Sequence, residues 1–387
     1  MKVALAIVAY NEEKYLPVLL EDVKKQTYPH EKIEVLLVDS GSDDGTKKLM
    51  DDFASEGGNF SSDETADSEE GAHTAGFGRV WIGDNPKKRQ SAGWNVAIDE
   101  FLAEKDEPAQ ALIRVDAHAR IPEEFVISCV EALGSENRSE ETKEGAAEYV
   151  VGGARPTICD SDGAWSRTLW MAEESMFGSS PSTARRGASS DMDEDASDVR
   201  MYEEPKRRTY VKSLFHACYR REVLESVGGF REDLGRTEDN EYHYRIRKAG
   251  YKIYRSPYIY SEQYVRPTLA KMIKQKTGNG FWVGRTLGIV PGCISIYHLV
   301  PFVFLSAIVT TAIMAVCGWL MPLQLLGSVY LSVAVLMAVY SAFRLQYAGE
   351  RVSVLAVLLP VIFFCLHVCY GAGTFFGIIS IPFGRKK

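Results

Sequence analysis

Three short apolar runs in the first 120 residues each end in polar residues suited to binding or chemistry. Val3–Ala9 runs into Tyr10, Asn11 and Glu12, Ile33–Val38 into Asp39, and Ala111–Val115 into Asp116, with His118 two residues on. An ionised carboxylate only accepts hydrogen bonds, so Asp39 can take them from a ring N–H or from ribose-type hydroxyls. The turn after the first run can offer backbone amides to the same ligand. Arg89 is a fixed cation able to reach a base or a diphosphate. Further on, Glu238 and Asp239 follow a glycine-containing turn at Gly228-Gly229-Phe230-Arg231-Glu232 and open a helical pattern. A carboxylate there can take a proton from a hydroxyl as a general base. Each residue also has a plainer reading. Asp39 can form a turn or, like Ser42, Asp43 and Asp44, cap the helix that starts at Thr46. Arg89 can be an exposed base beside Lys87 and Lys88, and the Glu-Asp pair can simply favour a helix N-terminus.

The elements that would position these residues are legible in the periodicity. Val3–Ala9 and Ile33–Val38 are dense in Val, Leu and Ile, as expected for strands covered on both faces. Between them Leu16, Leu19, Leu20 and Val23 recur at helical spacing. A strand is expected at Arg79–Ile82, then a helix burying Trp94, Ala97, Ile98, Phe101 and Leu102, then a strand at Ala111–Val115. Strands alternating with helices imply a mostly parallel sheet flanked by helices. In such sheets ligands bind beyond the carboxyl ends of the strands, which is where the polar residues fall. The helix opened by Glu238 carries Tyr242, Ile246 and Ala249 and should stop at Gly250.

Taken together these segments resemble family-2 glycosyltransferases, above all the membrane-bound ones of bacterial exopolysaccharide synthesis of the succinoglycan kind. The resemblance covers most of residues 1–285. It rests on Val-Ala-Tyr-Asn-Glu-Glu at 8–13, Val-Asp-Ser-Gly-Ser-Asp-Asp-Gly-Thr at 38–46, Arg89 with Gly93, Asn95 and Ala97, Asp-Ala-His at 116–118, and Thr-Glu-Asp-Asn-Glu at 237–241 with Arg245 and Gly250. It implies an α/β, GT-A-like nucleotide-binding sheet and inverting transfer of a hexose from a nucleotide-diphosphate sugar, a UDP-sugar by analogy, to a lipid-linked or polysaccharide acceptor. It also implies that Ala9, Tyr10, Glu12, Asp39, Arg89 and Asp116 bind the nucleotide-sugar, and that Asp239, beside Glu238, is the base. Asp116 and His118 stand where the family carries Asp-x-Asp. By resemblance His118 inherits the metal-ligand role beside Asp116, for a divalent cation that would be Mn²⁺ or Mg²⁺. Imidazole suits Mn²⁺ better than Mg²⁺, which prefers oxygen. Gln275 and Trp282 fall near the acceptor motif of processive synthases without its spacing, so single addition is expected; Trp282 equally suits an interfacial anchor.

Beyond this region the composition changes. No Asp, Glu, Lys or Arg occurs from Leu287 to Phe343, nor from Val352 to Gly384. Runs of that length suit membrane helices, which need roughly 20 apolar residues. Three segments are expected, at 296–319, 322–343 and 352–381, giving a catalytic domain over 1–285 and a multi-pass membrane domain over 286–387. The first two crossings return Arg344 and Arg351 to the side of a cytosolic catalytic domain in the plasma membrane. A third leaves Arg385, Lys386 and Lys387 outside unless the piece around Gly371–Gly377 is re-entrant. Gly373-x-x-x-Gly377 also suits a close helix contact.

The net charge of −8 is concentrated in two segments. Ser55–Ala75 has six acids and no Lys or Arg, and Ser189–Glu204 has seven acids and one Arg, so loops at 55–75 and 178–204 are expected to be solvated and mobile. The remainder is close to neutral and shows no basic face for nucleic acid. The seven cysteines are scattered, which fits a reducing compartment better than a disulfide or metal framework. No cleavable signal is expected, because Val3–Ala9 is short and runs into Glu12 and Glu13. Two rival readings remain. A sugar-1-phosphate nucleotidyltransferase would want a Gly-rich, Arg-containing loop after the first strand. A decayed membrane scaffold draws support only from the Asp-to-His change.

Overall fold

A computed structural model describes residues 1–57, 76–134, 148–179 and 209–382. The acidic segments read from the sequence lie almost wholly outside them. In chain order the elements are β1 (Val3–Ala9), α1 (Leu16–Lys24), β2 (Ile33–Asp39), α2 (Thr46–Gly57), β3 (Arg79–Asp84), α3 (Gln90–Ala103), β4 (Ala111–Asp116), β5 (Ala119–Arg120), α4 (Phe125–Leu133), β6 (Val150–Ala154), β7 (Thr157–Ile158) and α5 (Ala164–Glu174). They continue with β8 (Thr209–Tyr210), β9 (Ala217–Arg220), α6 (Arg221–Val227), α7 (Glu238–Lys248), β10 (Ile253–Tyr260), β11 (Glu262–Tyr264), α8 (Leu269–Thr286), α9 (Val300–Val316), α10 (Met321–Tyr347) and α11 (Leu359–Ile379). The chain divides into two compact units, one within Met1–Pro156 and Thr183–Gln263, the other within Thr157–Ser182 and Tyr264–Lys387.

The first unit is built on an eight-stranded sheet of order β3-β2-β1-β4-β9-β6-β10-β8. Strands β3, β2, β1 and β4 are parallel, while β9 runs antiparallel to β4 and β6. The side-chain alternation of β1 separates two hydrophobic layers. Val3, Leu5 and Ile7 pack with α1, α2 and α4, whereas Ala4 and Ala6 pack with Trp94, Ala97 and Phe101 of α3 and with Tyr242 and Ile246 of α7. The small residues on that second face let α3 lie close. Gly93 faces Val8, and a Cβ there would stand 2.5 Å from Val8 Cγ1. Helix α7 ends as expected, with Gly250 at φ +95°.

Among the described residues the second unit contains three helices long and apolar enough to cross a membrane, Ile296–Val316, Met321–Tyr347 and Val354–Ile379. Helix α11 is continuous through Gly371, Gly373 and Gly377, so the re-entrant piece considered from the charge pattern is replaced by an unbroken helix. Its glycines serve close packing instead. A Cβ on Gly373 would lie 2.1 Å from Thr277 O and one on Gly377 2.1 Å from Phe281 O, while across the seam Gly280 faces Tyr370 O at 2.1 Å and Gly284 faces Thr374 O at 2.2 Å. Backbones this near admit no side chain, as in small-x-x-x-small helix pairs. This seam places α8 with the apolar helices, so the compact unit begins before the composition change read at 286. Nδ1 of His367 on α11 lies 3.0 Å from Tyr330 Oη, and its Nε2 donates to Phe177 O at 2.6 Å, within this unit.

Overpacking a filled contact costs about 1–3 kcal/mol. Gly280→Leu and Gly373→Leu should therefore each lower the melting temperature of the detergent-solubilised chain. Gly327→Leu, which meets nothing within 4 Å, should leave it unchanged. Equal melting of all three would count against a backbone-to-backbone seam.

Candidate functional site

Register brings the strand ends level. Ala9 at the end of β1 pairs with Asp39 on β2, and Val8 pairs with Asp116 on β4, so both aspartates flank the same strand end. The loops that follow are laced together. Asn11, at φ 55°, donates from Nδ2 to Asp43 Oδ1 at 2.6 Å and accepts the Asp43 N–H at 3.0 Å, while its own N–H donates to Ser42 Oγ at 3.0 Å. The Glu12 N–H donates to Thr46 Oγ1 at 2.8 Å. Asp39 is buried and accepts from the N–H groups of Gly41 at 3.1 Å and Ser42 at 3.2 Å. It therefore forms the turn considered for it, with Gly41 at φ +73°, and its position at the strand end leaves the nucleotide role compatible with that turn. The capping duty at α2 falls to Asp44, which accepts from the Thr46 N–H at 2.9 Å. Tyr10 is half exposed beside this loop, with the Lys88 ammonium 5.8 Å from its ring centroid.

Arg89 is exposed at the start of α3 and donates to the Glu232 carbonyl at 2.8 Å. Asn95, one turn on, clasps the glycine turn. It donates to Phe230 O at 2.9 Å and accepts the Phe230 N–H at 2.6 Å. Arg245 of α7 donates to the carbonyls of Val227 and Gly229 at 2.7 and 2.6 Å. The segment leading into Glu238 and Asp239 is thereby fixed from both sides.

At the centre stands Arg114, 2% exposed on β4. Its guanidinium makes a two-pronged contact with Asp239, from Nη1 to Oδ1 and from Nη2 to Oδ2 at 3.1 Å, and lies 3.8 Å from Asp116 Oδ1. Trp94 and Phe230 flank it, with ring centroids 4.7 and 5.4 Å from Cζ. Asp116 is also met by His216, whose Nε2 lies 3.2 Å from the Asp116 backbone nitrogen and 3.5 Å from its Oδ2, and whose Nδ1 lies 2.6 Å from Ser261 Oγ. Burial alone would raise the Asp116 carboxyl, but His216 and Arg114 beside it more than offset this and hold it well below the ordinary carboxylate range. Glu238 moves the other way: burial, reinforced by the adjacent Asp239 charge, raises it above the ordinary range. The pair read from the sequence thus splits into an anion clasped by arginine and a buried neighbour that favours its proton.

His118 lies between two partners. Its Nδ1 is 3.1 Å from Glu12 Oε1, and its Nε2 is 2.5 Å from Gln263 Nε2, carried by β11, which pairs with β5 in the register Gln263↔Ala119. Among the described residues no three His, Cys, Asp or Glu side chains gather to hold a metal ion by themselves. Asp116 and His118 offer two donors of the kind a divalent cation takes when substrate phosphates complete its shell. In that sense the residues fit a cation shared with a ligand.

The structure thus gathers Ala9, Tyr10, Glu12, Asp39, Asp116, His118, Glu238 and Asp239 around the strand ends of the first unit, with Arg89 opening α3 nearby. Gln275 and Trp282 are on α8, in the second unit, where the Arg285 guanidinium carbon lies 5.6 Å from the Trp282 ring centroid. Sequence reading missed Arg114 and His216. Arg114 had a visible signal, as the one charge inside the otherwise apolar run Ala111–Val115. His216 had none, because β9 is short and carries no motif.

Removing one partner of a buried ion pair costs about 3–5 kcal/mol, since the other charge is left uncompensated. Arg114→Met should lower the melting temperature sharply, and Arg114→Met with Asp239→Asn should recover part of the loss; a single variant as stable as the wild type would refute the clasp. A pH effect follows from His243 of α7, buried against Ser213 Oγ at 2.8 Å and Tyr219 Oη at 3.0 Å. Burial pushes its imidazole down to about 4, whereas an unfolded histidine titrates near 6.5. The unfolded chain therefore binds the proton first. Stability from this group is complete above pH 6.5 and declines as the pH falls from 6.5 towards 4. His243→Gln should flatten that part of the melting-temperature profile.

Comparison with known proteins agrees with this architecture. Residues 4–140 match the model of glycosyl transferase family 2. The succinoglycan biosynthesis protein ExoA of Rhizobium meliloti (strain 1021) is 28% identical over 277 residues, covering 71% of this chain and 67% of that protein. The dolichyl N-acetyl-alpha-D-glucosaminyl phosphate 3-beta-D-2,3-diacetamido-2,3-dideoxy-beta-D-glucuronosyltransferase of Methanococcus voltae is 24% identical over 378 residues, covering 98% of this chain and 97% of that protein. Among solved structures, the mannosyltransferase PcManGT from Pyrobaculum calidifontis, in complex with GDP-Man and Mn²⁺, superposes with a TM-score of 0.52 at 14% identity, over 100% of this chain and 88% of that one, a likeness of fold. The strand-end carboxylates Asp39 and Asp116 lie inside the region, residues 4–140, that matches the model of glycosyl transferase family 2.

Proposed function

We propose that this chain is an inverting hexosyltransferase that uses a nucleoside-diphosphate sugar, with UDP as the nucleotide, and a lipid-linked or polysaccharide acceptor in cell-surface polysaccharide synthesis. The observation that carries the reading is the level placement of Asp39 and Asp116 beside β1, with Asp239 tied by Arg114 to β4, the strand that ends in Asp116.

In this reading Asp39 and the laced loops after β1 and β2 receive the nucleoside, Arg89 meets the diphosphate, and Asp239 faces the acceptor. The acceptor oxygen attacks the anomeric carbon as the bond from that carbon to the phosphate oxygen breaks. The proton leaves the acceptor hydroxyl for a free lone pair of the Asp239 carboxylate, and the nucleoside diphosphate departs. One displacement on one face inverts the centre. A divalent cation at Asp116 and His118 would neutralise charge on the leaving diphosphate; the Mn²⁺ in the complex of the Pyrobaculum mannosyltransferase supports a cation here, and the imidazole favours Mn²⁺ over Mg²⁺. The three apolar helices would anchor the enzyme in the plasma membrane with its catalytic domain cytosolic, where a lipid-linked acceptor is at hand.

The test is release of nucleoside diphosphate by membranes containing the full chain, over a panel of UDP- and GDP-sugars with Mn²⁺ or Mg²⁺ and a lipid-extract acceptor. Asp239→Asn should lower the rate by about 10²–10⁴, the range of general base catalysis, and chelation should abolish release. No release from any donor by folded wild-type protein would favour a non-catalytic scaffold.

A further inference from the structure

Glu12 is held by its backbone before its side chain does anything. Its N–H is fixed on Thr46, and its carbonyl accepts from the N–H groups of Tyr15 at 3.0 Å and Leu16 at 2.8 Å. From this rigid position Oε1 reaches His118 Nδ1 at 3.1 Å. A carboxylate cannot donate, so Nδ1 carries the hydrogen and Nε2 presents its lone pair. The Gln263 amide donates to that lone pair, from a strand that runs alongside the residue following His118. Both nitrogens of one half-buried ring thus have roles set by residues from two other segments. An aspartate at position 118 would need neither partner, because carboxylate oxygens have no tautomer to choose. Histidine introduces the choice, and Glu12 makes it.

We propose that Glu12 is a positioning residue for the cation: it fixes His118 in the tautomer whose Nε2 binds a divalent ion beside Asp116, the ion taking the place of the Gln263 amide. The inference rests on reading Asp116 and His118 as the cation pair. A carboxylate behind a histidine ligand orients the ring and raises its donor strength, and loss of such a partner typically weakens metal binding about ten- to hundredfold. The arrangement assigns Glu12 a task that does not need nucleotide, so the two can be measured apart.

The experiment is titration of Mn²⁺ alone into the detergent-solubilised full chain, with bound ion read from the loss of the free-ion electron paramagnetic resonance signal. Glu12→Leu should weaken Mn²⁺ by about ten- to hundredfold. Glu12→Gln, whose amide oxygen still accepts from Nδ1, should fall between it and the wild type. Melting curves identify any variant whose loss is one of folding. In a His118→Asp background, Glu12→Gln should no longer weaken Mn²⁺ and should shift preference towards neither partner, because the oxygen ligand needs no orienting proton acceptor. Gln263→Ala should bind at least as tightly as the wild type. Wild-type affinity in folded Glu12→Leu, or an equal loss in the His118→Asp background, would overturn the proposal while leaving the cation pair standing. Absence of Mn²⁺ binding by the wild type both alone and in the same titration repeated with UDP, whose phosphates complete the shell, would overturn the cation pair itself, and the proposal with it.

Discussion

Everything around the strand ends is organised by one desolvated positive charge. Arg114 sits in a strand whose other residues are apolar or end the strand, and a guanidinium there is tolerable only if its hydrogen-bonding capacity is used and its faces are covered. Asp239 meets the first need at Nη1 and Nη2, leaving Nε without a partner, and Trp94 with Phe230 meet the second. The consequence runs in both directions. Asp239 is clasped at the start of α7 by Arg114, and the Asp116 carboxyl is held well below its ordinary range by His216 and the same arginine. The acid beside Asp239 has no such partner and is pushed towards its neutral form.

The second unit rests on a different constraint. Between α8 and α11 the limiting quantity is distance, and glycine is used to abolish side chains where carbonyl groups must approach. Dispersion between two backbones is the natural adhesive where lipid offers apolar surface no advantage in leaving it. Elsewhere in this unit Lys276 of α8 lies 3.0 Å from Glu173 Oε2 of α5, and Ser341 of α10 donates to Ser175 Oγ at 3.2 Å.

Strand periodicity made the parallel half of the sheet legible. The runs at Val3, Ile33, Arg79 and Ala111 became β1 to β4 with at most two residues added, because β1, β2 and β4, buried on both faces, leave a dense apolar signature, and the edge strand β3 still carries Val80, Trp81 and Ile82 in a row. The polar residues closing them were legible as candidates for the same reason. The antiparallel half was not. Strands β6 and β9 are short, and β6 contains Gly152 and Gly153, whose missing side chains make room for His216 O and Ile259 O rather than signalling a strand. The role of Arg114 was hidden because its partner lies 125 residues further on, a separation no local pattern encodes. The affiliation of α8 was hidden for a related reason: its sequence is polar enough to look soluble, and only its glycines record the helix it touches.

The reciprocal pair between Asn11 and Asp43 has a chemical consequence of its own. Asn11 donates through its amide nitrogen and accepts through its oxygen, to the side chain and the backbone of the same residue. No other side chain of that length does both. Hydrolytic ageing of this single amide to a carboxylate would replace a closed ring of hydrogen bonds with two anions face to face, at the hinge joining the two loops beyond β1 and β2. A change of one atom, invisible to the fold, would then erode the site slowly with the age of the molecule.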